Sequence, residues 1–163
     1  FIGRGVTHVV AMEARGFIFG AAIAARISAG FVPVRKPGKL PAATDSVRYS
    51  LEYGESELHM HQGSIAKGDH VLIVDDVITA GTAVREAHQI ISTAGAEIAG
   101  LVISLDRQER GAGERSAIQE LEEQGIPVMS IIQMQHIIDY LAAQGDQADA
   151  LAAMRAYRER YGV

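Results

Sequence analysis

The sequence predicts an α/β fold: a mostly parallel sheet covered by helices on both faces. Three observations carry this. Short apolar runs of buried-strand type alternate with segments of helical spacing along the chain. Gly and Pro punctuate the junctions. The most apolar run, His70–Val74 (HVLIV), lacks the polar alternation of a strand with a wet face, so helices should cover both its sides.

The elements follow in order. Thr7–Met12 is a buried-type strand, and Glu13–Gly16 is a turn. Phe17–Ser28 is a helix ended by Gly30. Phe31–Arg35 is a strand whose Pro33 suits a sheet edge, and Pro37, Gly38 and Pro41 mark a loop. Arg48–Tyr53 and Glu57–His61 form a hairpin around Gly54. After His70–Val74 come a helix over Thr82–Ala94, a strand over Ile98–Leu105, a polar loop over Arg107–Gly113 and a helix over Glu114–Gln124. A strand over Val128–Ile132 and helices over Gln135–Ala143 and Asp146–Tyr161 close the chain. No repeat or linker divides it, so residues 1–163 read as one domain.

Composition narrows the function classes. Hydrophobic residues make up 48% of 163, enough for a core. The net charge of −5, the 6% aromatic content and the absence of Trp argue against a nucleic-acid platform. Any phosphate site must therefore be local. Zero cysteines exclude disulfides and thiolate chemistry and suit a reducing, cytoplasmic setting. No apolar run reaches the ~18–20 residues of a membrane helix. The chain opens at Phe1 directly before a strand, so further residues are expected upstream.

Ligands of open α/β sheets gather beyond the carboxyl ends of the strands. That directs attention to Glu13–Gly16, Arg35–Lys39, Asp75–Thr82 and Asp106–Gly113. The segment Val71–Ala83, VLIVDDVITAGTA, delivers two adjacent carboxylates, Asp75 and Asp76, from a strand. Thr79, Ala80, Gly81 and Thr82 then lead into a helix. Small residues let backbone N–H groups approach an anion, and a helix N-terminus favours one. Carboxylates for ribose hydroxyls beside donors for a phosphate suit a sugar phosphate. A plain polar loop with Thr82 as a helix cap is the alternative. Walker A (GxxxxGK[ST]) and GxGxxG strings are absent. A receiver-type acidic pair would leave Thr79–Thr82 without a purpose.

This thirteen-residue string resembles the PRPP-binding signature of type I phosphoribosyltransferases. The resemblance covers nearly the whole chain and is to two members. Residues 5–69 resemble adenine phosphoribosyltransferase through GVTHVVAMEARGF, GFVPVRKPGKLP and YSLEYGESELHMH. Residues 71–163 resemble orotate phosphoribosyltransferase through VDDVITAGTAVREA, SLDRQERGAGERSAIQE and AMRAYRERYGV. The sequence reads as a composite of an adenine-type half (1–69) and an orotate-type half (70–163) joined near Lys67–His70, an arrangement consistent with a chimera.

The resemblance implies a type I core with a flexible hairpin over the site, PRPP and a nucleobase as substrates, Mg²⁺ as cofactor and a homodimer. It implies that Asp75 and Asp76 serve ribose and metal, directly or indirectly, and that Val77, Ile78, Thr79, Ala80, Gly81, Thr82 and Ala83 form the 5-phosphate segment. Ala14-Arg15-Gly16-Phe17 matches the adenine-type pyrophosphate loop, so Arg15 is a candidate pyrophosphate ligand. Arg35, Lys36 and Lys39 are a second basic cluster; two of only three lysines fall in four positions. Leu51-Glu52-Tyr53-Gly54 matches the mobile catalytic loop, with Glu52 as general acid near purine N7 and Tyr53 beside substrate. Arg107 stands where orotate-type enzymes place an Arg on the base carboxylate, and an ion pair with Glu109 or Asp106 is its alternative role. His59 and His61 share a strand face but lack a third metal ligand.

Both relatives draw base-binding residues from a hood segment upstream of Phe1. The orotate-type loop, with its lysines and histidine, is replaced by the adenine-type one. Adenine is the expected base and orotate the alternative. A PRPP-binding core or scaffold without turnover is the non-enzyme alternative.

Overall fold

The structure, a computed structural model, describes the backbone of residues 1–51, 54–78, 82–111 and 113–163, and the side chains of these except 47–51, 54–56 and 82. Strands β1 (His8–Met12), β2 (Gly30–Val34), β5 (His70–Val77), β6 (Glu97–Asp106) and β7 (Val128–Gln133) form a five-stranded sheet. Strands β3 (Thr44–Leu51) and β4 (Gly54–His61) form an antiparallel hairpin. The helices are α1 (Gly16–Ile27), α2 (Thr82–Thr93), α3 (Ala117–Glu123), α4 (Met134–Gln144) and α5 (Ala148–Tyr161).

The five-stranded sheet is wholly parallel in the order β2-β1-β5-β6-β7. The chain winds outward one way from β1 to β2 and the other way from β5 through β6 to β7. The gap between β1 and β5 is therefore the topological switch point, where ligands of open α/β sheets bind. Pro33 lies in β2, an edge strand, where its missing N–H removes no ladder bond.

The side-chain period of two divides the apolar strands between two cores. Val9, Ala11, Leu72, Val74 and Val102 pack with Ala24, Phe17 and Ile23 of α1. Val10, Met12, Val71, Ile73, Leu101 and Ile103 pack with Val84, Ala87 and Ile91 of α2 and Leu121 of α3. Leu58 and Met60 of β4 join the second core. An antiparallel bridge of Arg35 with His59 ties the hairpin to the end of β2, through Arg35 N–H to the His59 carbonyl (2.9 Å) and its converse (2.8 Å).

Several boundaries differ from the sequence reading. α1 stops at Ile27 because Ser28 adopts a left-handed conformation (φ 57°), and Gly30 begins β2 instead of ending the helix. β5 runs three residues past Val74 because β6 offers partners as far as Ile103 for Asp75 and Leu105 for Val77. Both hairpin strands start or extend beyond the expected limits. α3 begins at Ala117, behind a capping box in which Ser116 Oγ accepts from Gln119 N–H (3.1 Å) and Gln119 Oε1 accepts from Ser116 N–H (2.9 Å).

Gly20 sits where α1 crosses β1. A Cβ there would lie 2.6 Å from the Cβ of fully buried Ala11 and 3.3 Å from the Phe31 ring. Gly20→Val is expected to destabilise the fold by about 3 kcal/mol through overpacking. Urea unfolding checks this; an unchanged midpoint would show that α1 does not press on β1 in solution.

Candidate functional site

Parallel pairing brings the carboxyl ends of β1, β2, β5 and β6 to one edge of the sheet. The four loops singled out from the sequence leave from that edge. Next to β5, the first of them depends on Gly16. A Cβ at Gly16 would lie 2.9 Å from the Val74 carbonyl oxygen, so only glycine lets α1 start this close to β5. The Glu13–Ala14 peptide bond before it is cis. From this loop Arg15, with an 82% exposed side chain, donates through Nη1 to Asp76 Oδ2 at 3.1 Å. The candidate pyrophosphate cation and one candidate ribose acid thus meet across the switch point.

Glu13 holds the two basic loops together, a role the sequence reading missed. Its Oε2 accepts from Arg35 Nε (2.9 Å) and its Oε1 from the Lys36 backbone N–H (3.1 Å). Burial raises the Glu13 pKa, but these two bonds outweigh it and hold the carboxyl below its ordinary value. Arg35 also donates from Nη1 to the Lys39 carbonyl (2.7 Å), so it braces the loop. Lys36 and Lys39 stay exposed. The missed signal was the acid at the end of β1 facing a basic run at the end of β2.

Asp75 and Asp76 have different surroundings although they are adjacent. Asp75 is 7% exposed. Burial pushes its carboxyl up to about 7, and the neighbouring Asp76 charge adds to the rise, while the bond from Asp76 N–H to Asp75 Oδ1 (2.8 Å) opposes it. Asp76 is half-buried; burial raises its pKa, but the Arg15 hydrogen bond and charge outweigh this and lower it overall. Ser104 Oγ, on β6, donates to the Asp76 carbonyl at 2.5 Å and fixes the backbone between the two acids and β6. The result is one carboxylate and one group that titrates near neutrality.

The other sequence candidates fall as follows. Val77 is half-buried within β5, Ile78 is a core residue, and Ala83 packs against that core. Thr79, Ala80 and Gly81, the side chain of Thr82, and the catalytic-loop residues Glu52 and Tyr53 lie outside the described residues. Arg107 makes the ion pair foreseen as its alternative role: Nη2 lies 2.5 Å from Glu109 Oε1 and also bonds the Tyr157 hydroxyl. His59 is engaged by Thr44 Oγ1 (2.8 Å) and Glu57 (3.2 Å). No group of three or more His, Cys, Asp or Glu positioned for a metal occurs among the described residues.

A doubly wound parallel sheet with an acid pair and a basic loop meeting at its switch point defines the nucleotide and sugar-phosphate class of α/β proteins. The comparisons narrow this. A family model described as "Phosphoribosyl transferase domain" matches residues 2–129, and the chain belongs to that family. It is 50% identical over 134 residues to an adenine phosphoribosyltransferase of Sorangium cellulosum, covering 81% of this chain and 65% of that protein. It is 55% identical over 102 residues to an orotate phosphoribosyltransferase of Acinetobacter baumannii, covering 62% of this chain and 47% of that protein. The chain thus spans about two thirds and about half of these curated relatives. Among solved structures, an adenine phosphoribosyltransferase of Thermoanaerobacter pseudethanolicus superposes with a TM-score of 0.69 at 36% identity, over 80% of this chain and 72% of that one. The adenine-type match and the family model are both too long to fit within residues 1–69, and both run through Lys67–His70. The adenine-type likeness is therefore not confined to the first half.

The Asp75 environment has a consequence for stability. Its raised folded pKa means that it stabilises the fold below its ordinary value of 3.8, and that this is lost as pH rises through about 7. Asp75→Asn keeps the acceptor for Asp76 N–H and removes the titration. Relative to wild type, the variant is expected to gain up to about 4 kcal/mol between pH 4 and pH 8 in urea unfolding. Parallel pH profiles for the two proteins would contradict the assignment.

Proposed function

We propose that the chain is the PRPP-binding part of a nucleobase phosphoribosyltransferase, with adenine as the favoured base. The single observation that supports this best is the Arg15–Asp76 contact, which puts a pyrophosphate-type cation beside a ribose-type acid at the switch point. The adenine favour rests on the 50% identical relative and on the adenine-type character of the Ala14–Phe17 and Leu51–Gly54 loops.

In the proposed reaction the base nitrogen forms a bond to ribose C1. The bond from C1 to the diphosphate oxygen breaks, pyrophosphate leaves with the electron pair, and the base nitrogen gives up its proton. Asp75 and Asp76 accept hydrogen bonds from the ribose hydroxyls, and the Asp76 charge steadies the cationic ribose of the transition state. Thr79–Thr82 donate to the 5-phosphate, with Val77, Ile78 and Ala83 shaping the same segment. Arg15, Lys36 and Lys39, braced by Arg35, neutralise the leaving pyrophosphate. Glu52 protonates the base near N7 and Tyr53 lies beside the substrate. Asp75 and Asp76 would hold Mg²⁺ through hard oxygen donors, which suit an ion that keeps several waters, and no group of three or more protein ligands occurs among the described residues. When bound it would offset charge on the diphosphate.

Orotate is the second reading, supported by the 55% identical relative and by Arg107 at the end of β6. The single-domain organisation, the composite origin and a cytoplasmic setting remain part of this proposal. So does homodimerisation, which is supported by exposed Met129 and Ile131 beside an apolar recess of about 420 Å³.

Pyrophosphate release from PRPP with adenine, guanine, hypoxanthine, uracil and orotate offered separately tests the proposal. Release with adenine alone is expected. Release with orotate alone selects the second reading, and silence with all five contradicts transfer. With adenine, Glu52→Gln is expected to lower kcat by about 100-fold while PRPP binding persists. Arg107→Ala discriminates between the two readings: a large loss with orotate and none with adenine would reverse the base preference.

A further inference from the structure

The family match ends at residue 129, before α4 and α5. Yet the last residues of the chain make a dense set of bonds to the loop after β6. Arg110 N–H donates to the Tyr161 carbonyl (2.9 Å) and Arg110 Nε to the Gly162 carbonyl (2.7 Å). Val163 N–H donates to the Gln108 carbonyl (3.0 Å), and Glu109 forms an antiparallel bridge with Gly162. Gly162 is required by space: a Cβ there would lie 2.5 Å from the Arg158 carbonyl oxygen, a backbone atom that cannot yield. One turn before this strap, Tyr157 bonds the residues just after β6. Its hydroxyl donates to Glu109 Oε1 at 2.5 Å and accepts from Arg107 Nη2, and the Arg107 guanidinium lies 5.6 Å from the Tyr157 ring centroid.

Both partners of Arg107 converge on Nη2. Its Nη1 and Nε make no hydrogen bond to the described residues, and its side chain is 32% exposed. A guanidinium fixed by one nitrogen at the end of a rigid ring keeps its remaining N–H groups pre-aligned for a planar acceptor. We propose that Tyr157, on a helix beyond the common family domain, is a positioning residue that holds Arg107 ready to donate to the nucleobase. This rests on reading the end of β6 as the wall of the base subsite.

Tyr157→Phe keeps the ring and removes both hydroxyl bonds. Adenine and orotate are titrated calorimetrically into the full chain with Mg²⁺ and pyrophosphate present, and ribose 5-phosphate is titrated separately. The base that wild type binds should bind Tyr157→Phe about tenfold more weakly, a loss of one to two oriented hydrogen bonds. Ribose 5-phosphate affinity and the melting temperature should not change. Gly162→Ala, which crowds the Arg158 carbonyl and so loosens the strap that Gly162 bridges to Glu109, should weaken the base in the same direction. Unchanged base affinity in Tyr157→Phe overturns the proposal, as does a fall in melting temperature with base affinity intact. Ribose 5-phosphate bound with neither base bound by wild type also overturns it. Failure to bind ribose 5-phosphate at all would instead count against the PRPP reading.

Discussion

The close approach of α1 to β5 at Gly16 is the constraint on which the site depends. Without a side chain at that position, the helix start rests 2.9 Å, measured from a would-be Cβ, from the Val74 carbonyl. The turn before it then carries Arg15 across the switch point to Asp76. Any larger residue at 16 would push the turn away from β5 and separate the candidate cation from the acid pair. Glu13, one turn earlier, extends the same arrangement to β2 by gripping Arg35 and the Lys36 N–H. Three strand ends are thereby locked into one basic-and-acidic rim.

The two acids illustrate how one dipeptide provides two chemistries. Strand pairing with Ile103 turns Asp75 into the interior, where burial favours its neutral form. Asp76 points to the loop side and is kept ionised by Arg15. A ligand that draws Arg15 onto its own phosphates leaves Asp76 free to accept ribose hydroxyls. The exposed ion pair is weak, of order 0–1 kcal/mol, so exchanging it for charged ligand oxygens costs little.

Much of this was legible in the residues. The uninterrupted apolar runs announced a sheet buried on both faces, Pro33 marked an edge, and VLIVDDVITAGTA located the acid pair. The S-x-x-Q box at Ser116 could have set the start of α3, since its bonds are local. The end of α1 could not be read, because a serine rather than a glycine takes the left-handed position. Glu13 and Tyr157 were missed for one reason: their partners are 22 to 23 and 48 to 50 residues away, and only the topology brings them together. Arg107 was found by resemblance, but its grip by α5 was invisible to a motif.

The central claim is that the carboxyl edge between β1 and β5 binds the diphosphate-bearing ribose on its own, before any base arrives. Calorimetric titration of PRPP with Mg²⁺ into the base-free chain tests it most directly. The account predicts saturable binding at one site per chain that is lost when Arg15 and Asp76 are together replaced by alanine. Absence of binding by the wild-type chain, or binding indifferent to both substitutions, would contradict it.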